Sequence, residues 1–81
     1  MTKLEEKLIE LGYKTNEAND YRFWVKTIKC HIFIYLDETR TQILNKTIDR
    51  MLFNKVDYQI AFNEMQKDLE ALKEYEPRWI I

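Results

Sequence analysis

The chain has one glycine, one proline, one cysteine and one histidine in 81 residues. A single cysteine excludes an internal disulfide framework and fits a reducing compartment, which points to the cytoplasm. With Gly12 placed at a helix end, no glycine falls among the strands and turns, so no tight backbone cradle for a phosphate is expected. No apolar run approaches the roughly 20 residues needed to span a bilayer. The opening "MTKLEEKLIEL" is charged and helical, which is not the plan of a signal peptide. G-x-S-x-G, H-E-x-x-H, P-loop and C-x-x-C motifs are all missing. No enzyme activity, cofactor or metal site is therefore expected.

Hydrophobic residues make up 46% of the chain and aromatic residues 14%, enough for a packed core and too many for a disordered segment. A chain of this length forms one domain and buries only about 60% of its unfolded surface. The net charge of −1 is unevenly spread. Residues 1–20 carry three lysines against five acids, residues 21–55 seven basic residues against three acids, and residues 56–76 two lysines against six acids. The basic middle either attracts the acidic ends within one fold or faces an acidic partner.

Thr2 and Glu5 form a capping box, Leu4, Leu8 and Leu11 share one stripe, and Gly12 ends a helix expected over residues 3–11. Residues 14–20 read as a loop. "YRFWVK" alternates as a strand, and "KCHIFIYL" follows as a second. "DETR" suits a turn. Residues 41–49 read as a third strand, although Ile43, Leu44, Thr47, Ile48, Met51 and Leu52 also recur at helical spacing. Asn54 caps a last helix, stapled by Phe53 and Tyr58, which Pro77 stops near Tyr75. The expected fold is α+β: a small antiparallel sheet of two to three strands with both helices on one face (α-β-β-β-α), as a single domain over residues 1–76. An apolar tail over residues 77–81 follows.

Ile28, Cys30, Ile32, Ile34 and Leu36, joined by Tyr21, Phe23 and Val25, are expected under the helices. That leaves Arg22, Trp24, Lys26, Lys29, His31, Phe33 and Tyr35 on the opposite face, aromatic and cationic together. Each large aromatic left exposed forgoes roughly 1.5–3 kcal/mol, so the cluster needs an occupant. Three occupants compete: the tail residues Trp79, Ile80 and Ile81 in cis; a protein partner, either a second copy or a foreign chain; and nucleic acid, with bases on the rings and phosphates on the cations. A protein partner is preferred, with Trp24, Phe33 and Tyr35 as anchors, Arg22, Lys26 and Lys29 around them, and Trp79 as a further contact.

Cys30 and His31 are neighbours, yet on a strand they point to opposite faces and cannot pair as nucleophile and base. Glu64, Asp68, Glu70 and Glu74 read as a solvated helix face rather than a metal site. The helix–three strands–helix order is similar in outline to a double-stranded-RNA-binding domain. "FNKVDYQ", however, offers a single lysine where that family has a basic cluster.

"KLEEKLIELGY" and "AFNEMQKDLEALKEYE" resemble segments of small proteins encoded by phages and prophages of Gram-positive bacteria. The resemblance covers about a third of the chain and implies a setting: a short, non-enzymatic accessory protein that binds a host factor, such as a CRISPR-type defence complex. It implies no site residues.

Overall fold

In a computed structural model, residues 1–16, 20–49 and 54–76 are described, with the side chains of Asn16, Asp20 and Tyr21 left aside. The first helix, α1, spans Lys3–Glu10. Thr2 Oγ1 accepts from the Glu5 amide at 3.1 Å, and Glu5 Oε1 accepts from the Thr2 amide at 2.8 Å. These reciprocal bonds satisfy two donors that a helix start would leave orphaned. At the other end the Tyr13 amide donates to the Leu8 carbonyl and the Gly12 amide to that of Ile9. This Schellman arrangement needs Gly12 in the left-handed region, and its φ is +96°.

The chain then enters β1 (Lys14–Asn16), β2 (Asp20–Ile28), β3 (Cys30–Leu36) and β4 (Ile43–Ile48), one antiparallel sheet in the order β1-β2-β3-β4. The sheet thus has four strands rather than two or three, because residues 14–16, expected in a loop, pair with β2. Side-chain polarity misled there: Lys14 and Thr15 sit opposite Val25 and Trp24, and backbone pairing at a sheet edge tolerates polar residues. Residues 43–48 form a strand, as β-branched content favoured. The β3–β4 turn is organised by Asp37, whose Oδ1 accepts from the Thr41 and Gln42 amides and whose Oδ2 accepts from Thr39 Oγ1. The carbonyl of Arg40, a residue at φ 58°, accepts from Thr2 Oγ1, tying this turn to the start of α1.

The second helix, α2, spans Lys55–Ala71 and is followed by a 3-10 turn at Lys73–Tyr75. Asn54 Oδ1 accepts from the Val56 and Asp57 amides and caps it. Phe53 and Pro77, expected as staple and stop, lie outside the described residues. Leu4 and Leu8 of α1 and Ala61, Met65, Leu69 and Leu72 of and beyond α2 meet Trp24, Ile32, Ile34, Leu36, Ile43 and Ile48 in one core. Both helices therefore cover one face of the sheet. No helix among the described residues is long and apolar enough to cross a membrane.

Over residues 23–26 the two faces of β2 are the reverse of the sequence expectation, while Ile28 lies on the helix side as expected. Ile28 pairs with Cys30 across Lys29 alone, and Trp24 pairs with Ile34 and Lys26 with Ile32. Directly opposed residues share a face, so Trp24, Lys26 and Ile28 of β2 join the even-numbered residues of β3. Trp24 is 2% exposed and belongs to the core, and Lys26 lies on the helix side too. Phe23 and Val25, opposite Tyr35 and Phe33, move to the open face. Lys29 stands on neither face: it is the exposed tip of the hairpin, at φ 66°.

Candidate functional site

The side of the sheet away from the helices carries Phe23, Val25 and Thr27 of β2, His31, Phe33 and Tyr35 of β3, Asn45 and Thr47 of β4, and Lys14 of β1, as the registers dictate. At its centre Phe23 meets Phe33 at 5.2 Å between ring centroids and Tyr35 at 6.2 Å, the latter edge-on. His31 extends the row, 6.0 Å from Phe33. All three larger rings are half-buried, partly by one another. A shallow recess of about 120 Å³ lies between them and Asn45, Lys46 and Thr47.

Arg22 adjoins this cluster: its guanidinium sits 5.1 Å from the centroid of the Tyr35 ring and donates to the Tyr35 hydroxyl at 2.8 Å. Such a cation held over an aromatic face contributes on the order of 0.5–1 kcal/mol at a solvated site. Lys14 and Lys29 are exposed beside the patch, and Asp49, whose amide donates to the His31 carbonyl, marks its acidic corner.

Of the expected binding residues, the fold brings together Phe33, Tyr35 and Arg22 and leaves Lys29 at the margin. Trp24 and Lys26 are withdrawn to the other side, and Trp79 lies outside the described residues, as do Ile80 and Ile81. Phe23 and Val25 were missed. Unbroken alternation carried through the single tip residue Lys29 would have placed them, because "YRFWVKTIKCHIFIYL" keeps one parity throughout.

A second polar constellation lies under the sheet, on the helix side. Lys26 Nζ donates to Asp68 Oδ2 at 2.9 Å and to Glu64 Oε2 at 2.7 Å. The Tyr13 hydroxyl donates to the same Asp68 oxygen at 3.0 Å, and Lys26 Nζ lies 5.4 Å from the Tyr13 ring centroid. Asp68 is 1% exposed, so the expectation of a solvated row at Glu64, Asp68, Glu70 and Glu74 is corrected for Asp68 and Glu64. Asp68 falls three residues after Met65 and four before Leu72, on the apolar stripe itself, which was the available signal.

Burial raises the Tyr13 hydroxyl far above its ordinary range, and the neighbouring Asp68 carboxylate adds to it. Burial works against the Lys26 charge, but hydrogen bonds to Glu64 and Asp68 outweigh it and the ammonium holds its proton more tightly than usual. The Lys26 bond in turn holds Glu64 below the usual carboxylate range. The Tyr13 hydroxyl, the Lys26 ammonium, Asp68 Oδ2 and Glu64 Oε2 are engaged with one another, so the set fastens β2 to α2.

Elsewhere chemistry is sparse. His31 Nδ1 shares a 2.9 Å hydrogen bond with Thr27 Oγ1, and Cys30 is a half-buried free thiol beside the core. Among the described residues no three His, Cys, Asp or Glu side chains gather as metal ligands. A wider hollow of about 600 Å³ lies at the end of α2, where Glu70, Lys73, Glu74 and Glu76 are charged groups at the helix end. The chain matches no protein-family model, no curated protein and no solved structure.

Proposed function

We propose that this chain is a non-enzymatic protein-binding domain whose partner seats on the open sheet face. The observation that carries the reading is the cluster of Phe23, Phe33 and Tyr35 on the side of the sheet that neither helix covers. A small domain has a thin stability margin, and each of three rings kept from full burial forgoes a fraction of the roughly 1.5–3 kcal/mol that complete burial would bring. Apolar patches ringed by polar groups serve as protein contacts more often than any other purpose. Likeness of the two helical segments to small phage and prophage proteins supports the setting. The partner is then a second copy or a host factor, such as a CRISPR-type defence complex.

Nucleic acid is the second reading, favoured by rings on the two central strands with lysines at the margin. It is weakened by the ring contacts: Arg22 already lies over Tyr35, and Phe23 tilts against Phe33. Bases need free ring faces, whereas a protein side chain packs on ring edges as readily.

A photo-crosslinking residue at Thr47, exposed on the open face, tests the reading against the same probe at Gln66, exposed on α2. Capture of a partner in bacterial cells from Thr47 and not Gln66, lost in Phe33→Glu with its circular dichroism unchanged, is the expected result. Equal capture from both positions, or none from Thr47, would remove it.

A further inference from the structure

We infer that the Asn45 side chain closes the free edge of the sheet to a second copy of this chain, an inference that stands apart from the protein-binding reading above. Among the described residues β4 is the last strand in the sheet order, with no further strand beyond it. An edge of this kind is a template for edge-to-edge pairing. The Asp49 amide donates to the His31 carbonyl at 2.9 Å, and the register continues from there through Phe33–Thr47 and Tyr35–Asn45. Hydrogen-bonded pairs alternate along an antiparallel ladder. Thr47 and Asn45 therefore turn their backbone groups to β3, and Ile48 and Lys46 turn theirs outward. The outward Lys46 amide donates to Asn45 Oδ1 at 2.8 Å. A strand arriving at the middle of β4 finds that donor taken.

Other features blunt the edges, but not at this point. β1, the opposite edge, is three residues long and breaks register after Thr15. The irregularity between Tyr35 and Leu36 disturbs only the Ile43 end of β4, and residues 45–48 keep one register. Lysine is a common deterrent on an edge. Here Lys46 Nζ lies 3.4 Å from Glu76 Oε1, so its charge is already answered and is a weaker barrier than a lone lysine would be. Two β4 strands paired antiparallel about Lys46 would set Ile48 of one copy opposite Leu44 of the other, a side chain that is 51% exposed. The Asn45 bond to the Lys46 amide is what stands in the way of that pairing.

Molecular mass against concentration tests this in the full-length protein. All variants carry Phe33→Glu, so that the open face takes no part in association. Adding Asn45→Val is expected to make the mass rise with concentration while circular dichroism stays unchanged, and Asn45→Ala should act likewise. Thr47→Val adds similar apolar surface at a residue whose amide faces β3, and it should stay monomeric. Lys46→Pro removes the outward donor and should return Asn45→Val to a monomer. At low concentration the Lys46 amide should exchange its hydrogen about fivefold faster in Asn45→Val, the scale of one hydrogen bond. An Asn45→Val protein as monomeric as its background, equal association of Thr47→Val, association that survives Lys46→Pro, or an unchanged Lys46 exchange rate overturns the inference. So does a background protein that already associates, or association released by deleting residues 77–81 alone, which assigns the guard to the tail. None of these outcomes alters partner capture from Thr47, so the two readings fail separately.

Discussion

Lys26 Nζ sits 2.9 Å from Asp68 Oδ2, joining the middle of β2 to a carboxylate that is 1% exposed on α2. A buried charge is tolerable only while its counter-ion is present. Lys26→Met leaves Asp68 Oδ2 with only the neutral Tyr13 hydroxyl to donate to it. It is expected to destabilise the domain by about 3–5 kcal/mol in urea unfolding. Combining it with Asp68→Leu and Tyr13→Phe removes the stranded groups and should recover most of that loss. A triple variant no more stable than Lys26→Met would show that the cluster does not behave as a single ionic unit.

The same groups set the pH range of stability. Tyr13 and Lys26 both hold their protons more tightly in the folded chain than at their ordinary values of 10.0 and 10.5. Their contribution is complete below those values and is lost as pH rises past them toward the raised folded values. Glu64, held below its ordinary 4.5, and Asp37, held below 3.8 because its turn hydrogen bonds outweigh the opposing effect of burial, act in the other direction. Their contribution is complete above those values and fades as pH falls through the lowered ones. The urea midpoint should therefore be level from about pH 5 to pH 10 and fall on both sides. Tyr13→Phe should flatten the alkaline fall and Glu64→Gln the acid one; an unchanged pH profile in both would contradict these assignments.

Gly12 offers a cleaner test of backbone strain. A methyl group there would meet only the Lys26 side chain, Cε at 3.7 Å and Cδ at 4.0 Å, both ordinary contacts. Gly12→Ala thus suffers from its φ of +96° rather than from crowding, and a loss of about 1 kcal/mol is expected. Thermal unfolding should show Gly12→Asn less affected than Gly12→Ala, since asparagine enters the left-handed region more readily. Equal losses would point to packing on Lys26 instead.

Local signals in this sequence were strong where short-range bonds decide the outcome. The Thr2–Glu5 box, the Asn54 cap and the Asp37 turn each depend on side-chain-to-backbone bonds within a few residues, and the Gly12 stop on backbone bonds to the Leu8 and Ile9 carbonyls. The face of β2 was not legible from the strand alone, because both of its sides are aromatic or branched: Phe23 and Val25 on one, Trp24 and Ile28 on the other. Its choice is settled by the hairpin register at Lys29 and by Asp68, a distant partner that makes a lysine tolerable on the core side. β1 escaped notice because an edge strand of three residues carries too few side chains to show a period. Phe33 and Tyr35 fall together on the open side because β3 has one aliphatic and one aromatic face, and Arg22 joins them only through its guanidinium over the Tyr35 ring.

Trp24 and Phe33 lie on strands that pair with each other but face opposite ways, and their truncation should therefore separate stability from binding. Trp24 fills the core with Leu4, Leu8 and Ile34. Trp24→Ala removes a large buried side chain and is expected to cost about 3–5 kcal/mol, enough to unfold much of a domain of this size. Phe33 is half-buried against Phe23, and Phe33→Ala should cost about 1–2 kcal/mol, the scale of one cross-strand aromatic contact with its area. In circular dichroism melts the first variant should lose its cooperative transition near room temperature and the second should keep it. In crosslinking from Thr47 the second should lose its partner while still folded. Should Phe33→Ala unfold as readily as Trp24→Ala, the open face would be part of the core, and a surface for partners would have to be sought on another side of the molecule.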